Sequence, residues 1–311
     1  MRSAGGGFWT IRILLSVVVL ALAAASADAQ QPISGNYPGG AVGGMKAAMI
    51  PPPGSFLLEN GTLFYNTREF VDGSGETIPT ETSNVVANRT IFGYATPWKI
   101  LGGNYLAAVI LALANAPLRP QPDSERDFQL GDLVLQPFAL GWNHGTVHTQ
   151  FAYNVWLPTG RFNAGASNNV GKGLYSHMLS YGATWLQDEQ NPWAVTATLR
   201  YEFVGKQKDT DIEPGDVLIL EVAAGKEVAR GFDLGLTGYY MTQTTEEKGS
   251  APGTDTTRYR AAGLGPELSW RPSRLPGFQV ALKSYFEFAA RNTSQGVFTV
   301  LSLAYVFGGA S

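Results

Sequence analysis

The chain has 311 residues, of which 15% are charged and 12% aromatic, with 37 glycines, no cysteine and a formal net charge of −3. Average soluble domains carry about 25% charged residues, so this chain is poor in charge. Its 22 basic and 25 acidic residues exclude a nucleic-acid-binding surface at the level of composition. The absence of cysteine excludes a disulfide framework, a thiolate metal site and a cysteine nucleophile.

The first 29 residues are predicted to be a cleaved secretory signal peptide. Arg2 and Arg12 precede an apolar run at 13–25, which is shorter than the about 20 residues that a membrane-spanning helix needs. Ala27-Asp28-Ala29 then forms a small-x-small cleavage pattern. A retained signal anchor is the alternative. Residues 30–55, rich in Gly and Pro, follow either as a periplasmic leader or as a short plug folded back into the mouth of the next domain.

From residue 56 onward, apolar and polar residues alternate with a period of two. In 193–203, for example, Trp193 and Leu199 share one face, whereas Arg200 and Glu202 share the other. Segments of about ten residues with this alternation and with terminal aromatic residues are typical of transmembrane β-strands that face lipid on one side. Twelve such segments are predicted, at 56–69, 83–96, 104–114, 131–142, 146–157, 174–186, 193–203, 216–226, 232–243, 259–270, 278–288 and 296–307.

The connections between these segments alternate in length. The short ones are 97–103, 143–145, 187–192, 227–231 and 271–277. The long ones are 70–82, 115–130, 158–173, 204–215, 244–258 and, more modestly, 289–295. Short periplasmic turns and longer extracellular loops are the pattern of bacterial outer-membrane barrels. We therefore predict an all-β, membrane-spanning, antiparallel up-and-down β-barrel over 56–307, with about 12 strands, periplasmic termini and a tail at 308–311.

The last segment resembles the terminal recognition strand of outer-membrane proteins. It ends on Tyr305 and Phe307, although four residues follow the phenylalanine. We expect these two side chains to contact the barrel-assembly machinery, and the outer wall to contact outer-membrane lipid.

The inward-facing polar residues are the candidate functional site. A Lys or Arg that faces lipid near the midplane costs about 2–4 kcal/mol, so the lumen is the favoured side for charges. Side chains fill the interior of a barrel of about eight strands, whereas a barrel of about 16–18 strands leaves an open channel. A barrel of twelve strands is intermediate in width, which predicts a narrow pore or a gated pocket. The predicted lumen-lining residues are Arg200, Glu202, Lys283, Glu287, Tyr285, Glu267, His148, Gln150 and Asn154. The alternative is that these groups only satisfy one another inside the barrel.

An enzyme is a weaker hypothesis. The histidines are His144, His148 and His177, and no serine in a nucleophile-elbow context accompanies them. His144 and His148 lack a third metal ligand at usable spacing. We therefore predict no catalytic residue, metal ligand or cofactor, and an enzyme would have to centre on His148.

Short motifs along the chain resemble those of the outer-membrane proteins associated with the meta pathway of phenol degradation. They are Pro51-Pro52-Pro53-Gly54, Gly131-Asp132-Leu133, Gln136-Pro137, Leu157-Pro158-Thr159-Gly160, Gly215-Asp216, Gly238-Tyr239 and Leu264-Gly265-Pro266-Glu267. The resemblance covers nearly the whole mature chain. It implies passage of small hydrophobic or aromatic compounds through the outer membrane.

Two main hypotheses follow. The first is an outer-membrane channel that admits small hydrophobic or aromatic solutes by diffusion, with Arg200, Glu202, Lys283 and Glu287 as its gate or lining. The second is a barrel without a transport role that acts in adhesion or envelope interaction through its long loops. Occlusion of the lumen by residues 31–55, together with full pairing of the lining charges, would favour the second.

Overall fold

The computed structural model describes residues 35–115, 128–164, 169–187, 193–249 and 256–309. The predicted signal peptide lies outside these residues. The strands are β1 Ser55–Val71, β2 Thr77–Ile100, β3 Gly103–Ala114, β4 Gln129–Leu130, β5 Leu133–His144, β6 Val147–Leu157, β7 Leu174–Leu186, β8 Trp193–Gln207, β9 Val217–Ala229, β10 Phe232–Gln243, β11 Arg260–Trp270, β12 Phe278–Arg291 and β13 Thr293–Gly308. None of the described residues lies in a helix long and apolar enough to cross a membrane.

The twelve long strands form a closed antiparallel barrel. Each pairs with its neighbours along the chain, and β1 closes the barrel by pairing with both β2 and β13. The two-residue strand β4 extends β3. Closure removes the exposed edges that would otherwise pair with other chains. The prediction of an all-β barrel of twelve strands is confirmed, and each predicted segment overlaps one long strand.

The pleat places the two residue classes on opposite sides of the wall. On β8, Thr196, Arg200 and Glu202 are buried inside, whereas Trp193 and Leu199 are exposed on the outside. Aromatic side chains cluster where the barrel closes, and the Phe56 ring lies 5.6 Å from that of Phe307 and 4.7 Å from that of Tyr94. This arrangement fits an apolar outer wall with an aromatic girdle.

Two of the connections predicted to be longer loops are short turns in the structure. The β1–β2 connection, expected at 70–82, is a tight turn at 72–76, and the β12–β13 connection, expected at 289–295, is Asn292 alone. The Asp72 carboxylate explains the first, because it accepts hydrogen bonds from the backbone amides of Ser74, Gly75 and Glu76, each at 2.9 Å. These bonds also lower the pKa of Asp72, the largest effect being its bond to the Ser74 hydroxyl. The strands therefore continue past the expected loop boundaries.

The barrel has two distinct ends. Turns at 101–102, 145–146 and 230–231 lie at one end, called here the short-turn end, where Ser55 also pairs with Gly308. The described parts of three longer connections, at 158–164 with 169–173, at 208–216 and at 244–249 with 256–259, lie at the opposite end, called here the loop end. Strand β3 runs from the first end to the second.

The outer face of β1 and β2 is more polar than the alternation predicts. Asn60 and Asn88 point outward with the exposed Phe64 and Phe92, and each donates its amide to the oxygen of the other at 2.9 Å. Each amide also donates to a threonine hydroxyl on the neighbouring strand. The polar atoms thus pair with one another across the strands, which lowers the cost of facing lipid.

Candidate solute passage

Residues 35–54, called here the N-terminal segment, lie inside the barrel. The side chains of Tyr37, Ala41, Met45 and Ala48 are buried there. The Gly54 amide then donates to the Ala95 carbonyl at 2.6 Å, where the chain enters β1. The segment therefore occupies part of the lumen.

Carboxylates on the wall hold the backbone of this segment. Glu202 on β8 accepts the amide of Asn36 at 2.7 Å and that of Tyr37 at 3.1 Å. Glu221 on β9 accepts the amide of Gly40 at 2.8 Å. Glu267 on β11 accepts the amide of Met45 at 2.9 Å. Hydrogen bonds with an ionised partner are roughly twice as strong as neutral ones, so these contacts fix the path of the segment.

Glycine permits this close approach of backbone to carboxylate. A Cβ atom on Gly43 would lie 2.5 Å from the Glu221 carboxylate, and one on Gly44 would lie 2.8 Å from Glu267 Oε1. Gly44 also has a φ of +149°, which side chains rarely adopt. Gly43 and Gly44 therefore allow the segment to lie this close to the two carboxylates.

Cations complete the same contacts. Arg200 Nε donates to Glu221 at 2.9 Å, and its guanidinium lies 4.8 Å from the centre of the Tyr37 ring. Lys283 donates to the carbonyls of Gly40 and Gly43. These buried charges are thus bound to the segment or to one another.

A second ionic cluster lies near the short-turn end. Asp233 accepts Lys46 Nζ of the segment at 2.9 Å and Arg271 Nη2 at 2.8 Å. Arg271 also pairs with Glu227 at 3.0 Å. The segment is therefore tied to the wall near both ends of the barrel.

A cavity of about 650 Å³ remains beside the segment. The segment bonds mainly to the wall of β7–β12. Arg200, Glu267 and Lys283 of that wall also line the cavity, as do residues of β13, but the larger part of the cavity lies against the wall of β1, β2, β3, β5 and β6. That wall contributes mostly small or apolar side chains, namely Leu57, Gly61, Leu63, Ala87, Ile91, Leu106, Ala108, Ile110, Ala112, Ala114, Val134, Ala152 and Trp156. The segment contributes Val42 and Met49, both partly exposed to the lumen.

The lining residues extend toward both ends of the barrel. Leu57 and Val306 lie near the short-turn end, whereas Ala114 and Val170 lie near the loop end. The space beside the segment is therefore elongated along the strands.

A family model described as "Putative MetA-pathway of phenol degradation" matches residues 67–303, which is more than half of the chain. The chain belongs to this family. Among curated proteins, none matches the sequence.

Three solved structures are similar to this family member to different degrees. An outer membrane channel from Pseudomonas putida F1 superposes with a TM-score of 0.68 at 14% identity, covering 88% of this chain and 100% of that chain. The β domain of the Bordetella autotransporter BrkA has a TM-score of 0.45 at 11% identity, covering 82% of this chain and 100% of that one. The translocator domain of the autotransporter NalP from Neisseria meningitidis has a TM-score of 0.43 at 11% identity, covering 96% and 98%. The first of these shows that the fold is that of an outer-membrane barrel.

The predicted site residues fall into three groups according to what they contact in the structure. Arg200, Glu202, Glu267, Lys283 and Tyr285 contact the N-terminal segment or its partners, and Tyr285 donates to the Gly40 carbonyl at 3.1 Å. Gln150 and Asn154 line the cavity without contacting the segment in the described hydrogen bonds, and Arg200, Glu267 and Lys283 of the first group line it too.

The third group lies apart from the cavity. Glu287 accepts the Tyr65 hydroxyl at 2.7 Å, the Gly296 amide at 2.8 Å and the Tyr239 hydroxyl. His148, opposite Asn143 and Thr184 near the short-turn end, is not among the described residues that line the cavity.

Sequence reasoning missed Glu221, Asp233 and Tyr37. Strand β9 carries apolar residues on both faces, with Val217 and Ile219 inside and Leu220 outside, so its alternation is weak. Glu221 lies two residues after Ile219. Because side chains two residues apart on a strand share a face, this spacing could have indicated that Glu221 points into the lumen.

Proposed function

We propose that this protein is an outer-membrane channel through which small, mainly apolar or aromatic solutes diffuse without an energy source. The observation that carries the proposal is the cavity of about 650 Å³ between the N-terminal segment and the β1–β6 wall. An apolar cavity of about 150 Å³ is enough to hold benzene, so solutes of one ring fit easily. The membership of the phenol-degradation family supports the same solute class.

The charged residues have an indirect role in this proposal. Arg200, Glu202, Glu267 and Lys283 hold the segment, and so set the width of the space beside it. Gln150 and Asn154 contact the solute as it passes. Glu287 and Tyr285 stabilise the wall behind the segment.

The rest of the proposal concerns the membrane. The chain is exported by a cleaved signal peptide, and both barrel termini face the periplasm. Tyr305 and Phe307 contact the assembly machinery. The partly exposed aromatic rings of Phe56, Tyr305 and Phe307 support a lipid contact near the short-turn end.

The alternatives have less support. A barrel that acts only through its loops would be favoured by a lumen that the N-terminal segment fills, and the cavity beside the segment argues against this. An enzyme centred on His148 would place its chemistry away from the cavity, and an unchanged phenotype of His148→Ala would remove that hypothesis.

The test measures the uptake of labelled solutes by intact cells of a porin-deficient host. The lipopolysaccharide leaflet of these cells slows the diffusion of apolar solutes across the outer membrane. Labelled toluene, phenol and a sugar are compared with and without the expressed protein. We expect faster uptake of toluene and phenol than in the empty host. Uptake of all three at the rate of the empty host would overturn the channel.

A further inference from the structure

One charged pair on the β1–β2 wall is separate from those that hold the segment. Arg89 on β2 donates from Nη2 to Glu59 Oε1 on β1 at 2.5 Å, and both residues line the cavity. Their side chains retain 14% and 19% exposure. The wall around them also contributes the amides of Gln136, Gln150 and Asn154, and its other side chains are mostly apolar.

The guanidinium of Arg89 lies flat across Gly61, its partner in the β1–β2 register. A Cβ atom on Gly61 would lie 2.5 Å from Nη1, 2.9 Å from Cζ and 3.2 Å from Nη2. No point in the plane of the guanidinium has these three distances together, so the Cβ position lies above the plane and one face of the group covers the glycine. The opposite face is turned away from the β1 backbone.

The surroundings leave room beside this group. Arg89 is paired with Gly61 on one side and with Ala112 on the other, and both are small. Ala87 and Ile91 flank it along β2 on the same face, and all four line the cavity. Arg89 Nε is buried and makes no hydrogen bond among the described residues. The bond to Glu59 therefore leaves part of the hydrogen-bonding capacity of this guanidinium unused.

We propose that Arg89 is a specificity-determining residue whose guanidinium face stacks against the aromatic ring of a solute in the cavity. Planar guanidinium groups stack on aromatic faces, and a desolvated site strengthens the attraction. Gly61 holds the group against the wall, and Glu59 fixes its rotation. This inference rests on the proposed passage of solutes along the cavity, and it adds a preference for aromatic over saturated rings.

The test compares phenol with cyclohexanol, which have similar size and one hydroxyl each. Binding of both to the detergent-solubilised full mature chain is measured by ligand-observed NMR titration, and cellular uptake is measured in parallel. In the wild type we expect phenol to bind about two- to fivefold more tightly, which matches a contact of modest strength. Arg89→Gln should bring the ratio close to one. Gly61→Ala should also reduce the ratio, because its methyl group displaces the guanidinium.

Two controls keep the result interpretable. Gln279 lines the same cavity on β12, away from Arg89 and Gly61. Gln279→Ala should therefore leave the ratio of phenol to cyclohexanol affinity unchanged. The double variant Glu59→Gln with Arg89→Gln removes both charges together, so it avoids an unpaired carboxylate if the single variant fails to fold. Retention of the phenol preference in these Arg89 variants, or its absence in the wild type, would overturn the stacking proposal. A preference for phenol without uptake would leave stacking in place and overturn the channel instead.

Discussion

The Glu221 carboxylate accepts a hydrogen bond of 2.6 Å from the Tyr37 hydroxyl, and this contact joins the N-terminal segment to strand β9. The same carboxylate also binds Arg200 and the Gly40 amide. Glu221 thus binds both Tyr37 of the segment and Arg200, whose guanidinium lies over the Tyr37 ring. The width of the remaining cavity depends on such contacts.

Tyr37→Phe is expected to loosen the segment. It removes the hydroxyl and keeps the ring beside Arg200. A hydrogen bond to a charged group contributes about 1.5–3 kcal/mol. A state in which the N-terminal segment has left the wall should therefore become at least about tenfold more populated. Single-channel recordings in planar bilayers should show more frequent upward conductance steps.

The control for this variant is Asp211→Asn, which removes an exposed ion pair with Lys206 in a loop. Its recordings should match those of the wild type. A Tyr37→Phe channel with the wild-type frequency of steps would mean that this contact does not hold the segment.

Gly43→Ala tests the close approach of the segment to the wall. The added methyl group would meet the Glu221 carboxylate at 2.5 Å, so either the segment or the carboxylate must move. We expect proteolysis of the segment to become faster in the folded barrel. Gly93→Ala is the matched control, because its methyl group would meet its nearest neighbour, Leu57 Cβ, at an ordinary 3.4 Å. Equal cleavage rates for both variants would contradict the described docking.

Asn60 and Asn88 are expected to be strongly coupled in stability. Asn88→Val leaves the Asn60 amide without this partner on the lipid-facing side, which costs about 1–3 kcal/mol. The double variant Asn60→Val with Asn88→Val removes both polar groups and should recover most of that loss. Urea unfolding in lipid vesicles measures the coupling. If the two substitutions changed the free energy of unfolding additively, the predicted coupling between Asn60 and Asn88 would be contradicted.

The strands could be predicted from the sequence because period-two alternation is a local property. In β8, inward Arg200 and Glu202 alternate with outward Leu199 and Phe203, and the structure keeps that pattern. The turn at Asp72 was not predicted, since it depends on side-chain hydrogen bonds that shorten an apparently polar loop.

The docking of the N-terminal segment depends on contacts between distant parts of the chain. The backbone amides of Tyr37, Gly40 and Met45 donate to carboxylates that lie more than 160 residues later, and no local pattern reveals such pairs. The sequence also does not distinguish charges that hold the segment, such as Lys283, from a pair beside the cavity, such as Arg89 and Glu59. Inward orientation was predictable, but the partner of each charge was not.

The most direct test of the proposed passage places a large side chain in the cavity. Ala108 is buried and lines the cavity from β3, whereas the adjacent Val109 points outward and is 39% exposed. Uptake of toluene and phenol is measured for Ala108→Trp and Val109→Trp after heat-modifiability on gels confirms that both barrels fold. The account predicts that Ala108→Trp reduces uptake to the level of the empty host and that Val109→Trp retains it. Wild-type uptake by a folded Ala108→Trp barrel would contradict passage along this wall.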